Sequence, residues 1–292
     1  MFKGIWLPVI TPLRAGEVDI EALQRLTDDY VIGGIAGIVA LSTTGEAALL
    51  RDAERVAVVQ AIMEVVANRV PVFAGLGGSD TREFVEDLRG LENWDVAGFL
   101  VPPPAYVCPD QAGLTWHFEQ IARATSRPIV LYDVPHRTGV SIEVETVRDL
   151  AEIDNIVAIK ACAGERFKAL GQLPIDLLCG TDEAFLDCLQ AGGAGGILAS
   201  AHVCADLLRD VQALVKAGYG EAASRLFKRV KPVLRLLFAA PNPSAIKAML
   251  ALDACVLPET RAPILPASPA LVTQLEFARA VLDDLRAVSP TR

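Results

Sequence analysis

The sequence predicts a (β/α)8 TIM barrel with a C-terminal helical extension. Three observations carry this. Eight short, almost continuously apolar runs recur up to Ser200, and such runs suit parallel strands buried on both faces. Helix-compatible stretches separate them, the alternation of an α/β fold. The first run ends in Thr11-Pro12-Leu13, with no GxGxxG turn behind it, so a doubly wound dinucleotide-binding sheet is the poorer match.

The runs are 4–13, 37–42, 71–77, 98–104, 128–135, 156–162, 175–180 and 195–200. In the segment 80–91, Phe84, Val85, Leu88 and Leu91 recur at helical spacing. Asp19, Asp52, Ser79 and Asp182 precede helical stretches and read as N-caps. Gly192-Gly193-Ala194-Gly195-Gly196 leads into a strand rather than out of one. It therefore reads as a helix-to-strand turn, not as a phosphate cradle. The eight units assign residues 1–218 to a catalytic barrel. Residues 219–292 form a helical extension with helices at 220–238, 244–252 and 270–288. Proline-rich stretches at 241–243 and 258–269 join these helices, and the extension is expected to pack on the barrel.

Composition narrows the function classes. Of 292 residues, 52% are apolar and 22% charged, which excludes a disordered chain. Twenty-seven basic against 36 acidic side chains leave a net charge of −9, unsuited to a nucleic-acid surface. No charge-free apolar run is long enough to span a membrane. The N-terminus lacks a signal-peptide core, and a cytoplasmic location is expected. The six cysteines form no CxxC pair, and the three histidines are far apart without HExxH spacing. Neither a disulfide framework nor a metal site is expected.

In such barrels chemistry sits at the C-terminal strand ends. Lys160 stands out there, within Ile156-Val157-Ala158-Ile159-Lys160-Ala161-Cys162. A lysine in a buried strand is either an imine-forming nucleophile or half of a structural ion pair. Tyr132 closes the fifth run, as a core aromatic or as a proton relay beside such a lysine. The Thr43-Thr44-Gly45 turn either caps a helix or holds a carboxylate on its amides and hydroxyls. Arg137 is a solvated loop residue or a fork for a second carboxylate. His136 has no visible partner and reads as a weak general-base candidate.

Taken together, these residues resemble the dihydrodipicolinate synthase and N-acetylneuraminate lyase family. The resemblance rests on an ordered set: Gly4…Thr11-Pro12, Thr43-Thr44-Gly45-Glu46, Tyr132-x-Val134-Pro135-x-Arg137-Thr138-Gly139, Ile159-Lys160, Gly180-x-Asp182 and Pro241-Asn242-Pro243…Lys247. It implies class I aldolase chemistry, with Lys160 forming a Schiff base with pyruvate and Tyr132 shuttling protons. It implies that Thr43 links Tyr132 to Tyr106, a residue that reaches across from a neighbouring subunit. Thr44, Gly45 and the adjacent amides would hold the pyruvate carboxylate. Arg137 would receive the second substrate, with Gly180 and Ile197 lining the pocket. The implied partners are pyruvate, an aldehyde and further copies of the chain, as a homotetramer built from two dimers. No metal or nucleotide cofactor is implied.

The paired threonines and Arg137 resemble the synthases, favouring condensation of pyruvate with L-aspartate 4-semialdehyde in lysine and diaminopimelate biosynthesis. The alternatives are a related pyruvate-dependent aldolase or dehydratase acting on a 2-keto-3-deoxy sugar acid or other aldehyde, and a catalytically silent ligand sensor. The sequence departs from the synthase pattern at Ala105, Asp133, His136 and Ala161. Ala47, Asp52 and Arg55 differ from lysine-inhibited members, which implies weak or absent feedback by lysine.

Overall fold

The structure is a computed structural model that describes residues 2–287. Strand β1 (Gly4–Pro8) is followed by a small hairpin, β2 (Leu13–Arg14) and β3 (Glu17–Val18), and by α1 (Ile20–Ile32). Then come β4 (Gly37–Ala40), α2 (Asp52–Val66), β5 (Val72–Gly75), α3 (Thr81–Glu92), β6 (Gly98–Val101) and α4 (Gln111–Ala124). Strand β7 (Ile129–Asp133) leads through α5 (Pro135–Thr138) and α6 (Val144–Leu150) to β8 (Ile156–Ala161) and α7 (Phe167–Leu170). The barrel ends with β9 (Asp176–Cys179), α8 (Phe185–Gln190), β10 (Gly195–Ile197) and α9 (Ala201–Lys216). Helices α10 (Gly220–Leu237), α11 (Ser244–Ala251) and α12 (Pro269–Ala287) follow. Val288, the predicted end of the last helix, lies outside the described residues.

The sheet closes in the order β1-β10-β9-β8-β7-β6-β5-β4, all pairs parallel. All eight predicted strands are present, each shorter than its apolar run. The surplus residues, such as Val9, Ile10, Leu41 and Leu76, are buried in the loops that follow the strands. Apolar character tracks burial, and burial outlasts the ladder. The β2–β3 hairpin was not foreseen; its Arg14-Ala15-Gly16-Glu17 tip is too short and polar to read as strand.

Three predicted caps need correction. Asp19 does cap α1, accepting from the Ala22 N–H at 3.0 Å. Asp52 is instead the first residue of α2, and Glu54 reaches back to the Arg51 N–H at 2.7 Å. Asp80, not Ser79, caps α3; the Ser79 hydroxyl donates to the Ala105 carbonyl. Asp182 opens a short 3-10 turn, and its carboxylate accepts from the distant Ser200 N–H at 2.7 Å.

Inside the barrel, the rings of Phe2, Trp6 and Phe73 contact one another at centroid distances of 5.0–5.4 Å and fill the N-terminal end. Gly37 makes room for them, since a Cβ there would lie 2.4 Å from the Trp6 ring. Val39, Leu100, Val130, Ala158 and Leu178 belong to the same inner cluster. The period-2 alternation of strands brings Tyr132, Lys160 and Ile197 inward one layer higher.

The extension is tied to the barrel by charge as well as by packing. Arg261, in the proline-rich stretch, pairs with Glu54 at 2.6 Å and donates to the Gly16 and Leu49 carbonyls. Arg261 and then Arg51 hold the Glu54 carboxyl down at about 2.

His202 stitches α9 to β1. Its Nε2 accepts from the Ile10 N–H at 3.1 Å, while Nδ1–H donates to the Ala199 carbonyl at 2.7 Å. That neutral tautomer is enforced by burial, which lowers the imidazole pKa to about 4. A histidine depressed in the folded state stabilises fully above its unfolded pKa of about 6.5, and that contribution drains away toward pH 4. The stability advantage of the wild type over His202→Gln is therefore expected to shrink by about 2 kcal/mol between pH 7 and pH 4.5, measured by urea unfolding.

Candidate active site

Strands β7 and β8 pair so that Tyr132 lies opposite Lys160. The Lys160 Nζ sits 4.1 Å from the centroid of the Tyr132 ring, a cation–π geometry that keeps the ammonium beside the phenol. Both side chains are buried, Lys160 at 5% exposure. Gly180, after β9, is what lets the lysine stem pass. A Cβ there would stand 2.7 Å from the Cys162 sulfur and 3.0–3.1 Å from the Lys160 stem.

Above the lysine is a cavity of about 240 Å³. Lys160, Tyr132, Thr43, Thr44, Arg137, Gly180 and Ile197 all line it. A larger groove of about 610 Å³ shares the Thr43, Tyr132, Arg137 and Asn242 walls with it. With His136, which also lines it, the structure brings together eight of the ten residues singled out in the sequence.

The two others lie elsewhere. Gly45 sits behind the wall: its N–H closes the turn onto the Ser42 carbonyl, and its own carbonyl accepts from the Thr11 hydroxyl at 2.7 Å. A Cβ at Gly45 would lie 3.0 Å from the Val9 carbonyl oxygen, so the position serves close packing on the end of β1. Tyr106 is 92% exposed, with φ at 72°, and lines neither cavity within its own chain.

The Thr43–Gly45 turn is a single 3-10 turn. Among the described residues, the Thr43 and Thr44 N–H groups have no hydrogen-bond partner. Two unpartnered amides at the edge of a cavity that also holds a lysine form a place for a carboxylate. Asn242, from the extension, donates from Nδ2 to the Thr44 hydroxyl at 3.0 Å and reaches both cavities. Sequence reasoning quoted Asn242 only within a motif and gave it no role. Its distinguishing signal is a lone polar residue between two prolines.

The Arg137 loop is anchored from below. Asp133, fully buried, pairs with Arg166 and accepts from the Ile142 N–H at 3.0 Å. Arg166 also donates to the Ile142 carbonyl. Burial is the leading influence on Asp133 and raises its carboxyl pKa against the pull of these donors. His136 is exposed on the same loop and lines the smaller cavity. Partial burial, then the charges of Arg137 and Lys160, lower its pKa, so it is neutral at neutral pH.

The cavity is not uniformly cationic, because Asp182 and Glu183 join Lys160 and Arg137 in its wall. Glu183 is engaged by Arg235 at 2.6 Å. Burial raises the Asp182 carboxyl pKa, opposed by its Ser200 bonds and by Lys160. Among the described residues, no group of three or more His, Cys, Asp or Glu side chains is placed to hold a metal ion. The six cysteines are free.

Fold and site together define a class: (β/α)8 barrels that present a buried lysine from the sixth barrel strand into a small cavity beside a tyrosine. Residues 1–280 match the profile of the dihydrodipicolinate synthetase family. The chain belongs to that family. It is 35% identical over 280 residues to 4-hydroxy-tetrahydrodipicolinate synthase 2 of Clostridium acetobutylicum, covering 94% of this chain and 98% of the relative. It is 36% identical to the 4-hydroxy-tetrahydrodipicolinate synthase of Syntrophobacter fumaroxidans, covering 92% and 95%. The solved structure of 4-hydroxy-tetrahydrodipicolinate synthase from Methylacidiphilum fumariolicum superposes with a TM-score of 0.94 at 31% identity, covering 98% of each chain.

Proposed function

We propose that this chain condenses pyruvate with L-aspartate 4-semialdehyde to 4-hydroxy-tetrahydrodipicolinate, a lyase reaction of lysine and diaminopimelate biosynthesis. The observation that carries the reading is the buried Lys160 against Tyr132, in one cavity with two unpartnered amides. The names of the full-length relatives support the choice of substrates.

The Lys160 amine attacks the pyruvate ketone, and water leaves as the imine forms. The protonated imine withdraws electrons, so a methyl proton departs and the resulting enamine attacks the aldehyde; the amino group of the semialdehyde then attacks the imine carbon and displaces the Lys160 amine, which closes the ring and frees the enzyme. Thr43 and Thr44 hold the carboxylate and fix the methyl group toward the open side. Tyr132 carries protons to and from the carbinol and the new alkoxide. The imine itself is the electron sink, and the proposed reaction uses neither metal nor nucleotide.

The exposed Tyr106, on left-handed backbone, supports its proposed insertion beside Thr43 of a second copy. On that reading the chain works as a homo-oligomer, a tetramer of two dimers in the proposal, in the cytoplasm. No helix among the described residues is long and apolar enough to cross a membrane.

The test is a coupled assay in which pyruvate is offered aspartate semialdehyde or a panel of sugar-derived aldehydes. Turnover restricted to the panel would overturn the assignment. Arg137→Leu is expected to raise KM for aspartate semialdehyde by about tenfold to a hundredfold, the worth of a charge-assisted bidentate contact. The pyruvate KM should stay near its wild-type value.

A further inference from the structure

Glu46 follows directly on the Thr43–Gly45 turn and has φ 55° and ψ 27°, the left-handed region that a side chain other than glycine's rarely occupies. Its carboxylate is buried and points away from solvent onto the extension. Oε1 receives the Lys247 Nζ at 2.5 Å, and Oε2 receives the Arg261 N–H at 2.8 Å. Lys247 also donates to the Glu259 carbonyl at 2.8 Å and has no exposed surface. Lys247 lines neither cavity, and Glu46 lines the larger groove but not the smaller cavity that holds Lys160. Burial is the leading influence on Lys247 and lowers its pKa, opposed by the charge of Glu46.

A buried ion pair is a poor source of stability, because desolvation of two charges offsets their attraction. Its better-attested use is to fix one geometry among several. What this pair fixes is visible from its position. Glu46 lies two and three residues after the two unpartnered amides, and Asn242, five residues before Lys247, holds the Thr44 hydroxyl.

We propose that Glu46 and Lys247 are positioning residues for the pyruvate-carboxylate turn, so that an ion pair outside the Lys160 cavity, made with the helical extension, sets the affinity for the keto acid. The proposal rests on the reading of Thr43 and Thr44 as the carboxylate site. Loss of the pair frees the turn to relax from the left-handed kink, and the amides then no longer converge on one carboxylate.

The experiment compares Glu46→Gln, Lys247→Met and the double variant with the wild type. The pyruvate dissociation constant is read from the concentration dependence of borohydride-trapped adduct, and the aldehyde KM is read at saturating pyruvate. The double variant removes both charges at similar volume, so its thermal midpoint should stay close to wild type even where Lys247→Met alone fails to fold. Its pyruvate affinity is expected to fall by roughly tenfold to a hundredfold, the scale of a small misplacement of binding groups. Its aldehyde KM should change by less than about twofold, since Arg137 is held by a separate anchor. A folded double variant with wild-type pyruvate affinity overturns the positioning role, as does a parallel loss of affinity for both substrates. Thr43→Pro, which removes one of the two amides at the first position of the turn, where proline is tolerated, is the control for the underlying reading. If it leaves pyruvate affinity unchanged, the carboxylate site itself is misassigned; if it weakens pyruvate while the double variant does not, only the positioning role fails.

Discussion

Lys160→Met will abolish turnover and the covalent adduct together. Wild-type chain incubated with pyruvate and borohydride should gain a pyruvyl mass on the peptide that carries Lys160. The variant should gain none, and its activity should drop by at least about four orders of magnitude, as when a covalent nucleophile is removed. The fold should survive. Lys160 is almost fully buried, and exchanging a desolvated cation for a methionine of similar length removes a cost of folding rather than a support. An unchanged or raised thermal midpoint alongside lost activity is therefore the expected pair of results. An adduct on any other lysine would sink the imine assignment.

Tyr132→Phe tests a different link. The ring remains, and with it the contact 4.1 Å from the Lys160 Nζ; only the hydroxyl goes. Proton transfer by a placed side chain contributes about two to four orders of magnitude, and turnover should fall by that much. The adduct should still accumulate, only slowly, because water can replace the phenol as proton carrier at lower efficiency. Stopped-flow measurement of imine formation separates the cases. A near-normal rate would exclude the relay, while complete loss of the adduct would mean that Tyr132 positions the lysine rather than moving protons.

The sequence made the barrel legible because burial on both strand faces leaves an unmistakable apolar imprint. Lys160 was legible for the converse reason: one charge interrupts such a run; whether it points inward or snorkels out among the helices was settled only by the closed barrel. The distance between Lys160 and Tyr132 was not legible. It depends on the register of β7 against β8, which the closure of the whole barrel decides. Asn242 and Lys247 were hidden by chain separation, as their partners lie 198 and 201 residues away. Asp182 was misread as a cap because local pattern cannot see Ser200. Asp133 read only as a departure from the synthase pattern, because its counter-charge, Arg166, is brought to it by the fold. Local rules recovered what neighbours in sequence determine, and failed where a charge found its partner across the fold.

The aromatic filling of Phe2, Trp6 and Phe73 turns the barrel into a cul-de-sac. With one end stoppered, everything enters and leaves by the same doorway, and the lysine stands at its floor. The keto acid must therefore descend first, and the aldehyde then sits over it like a lid. The joined product must climb out before the next keto acid can arrive. An aldehyde that lodges early would block the shaft, so excess second substrate is a natural brake on such a machine.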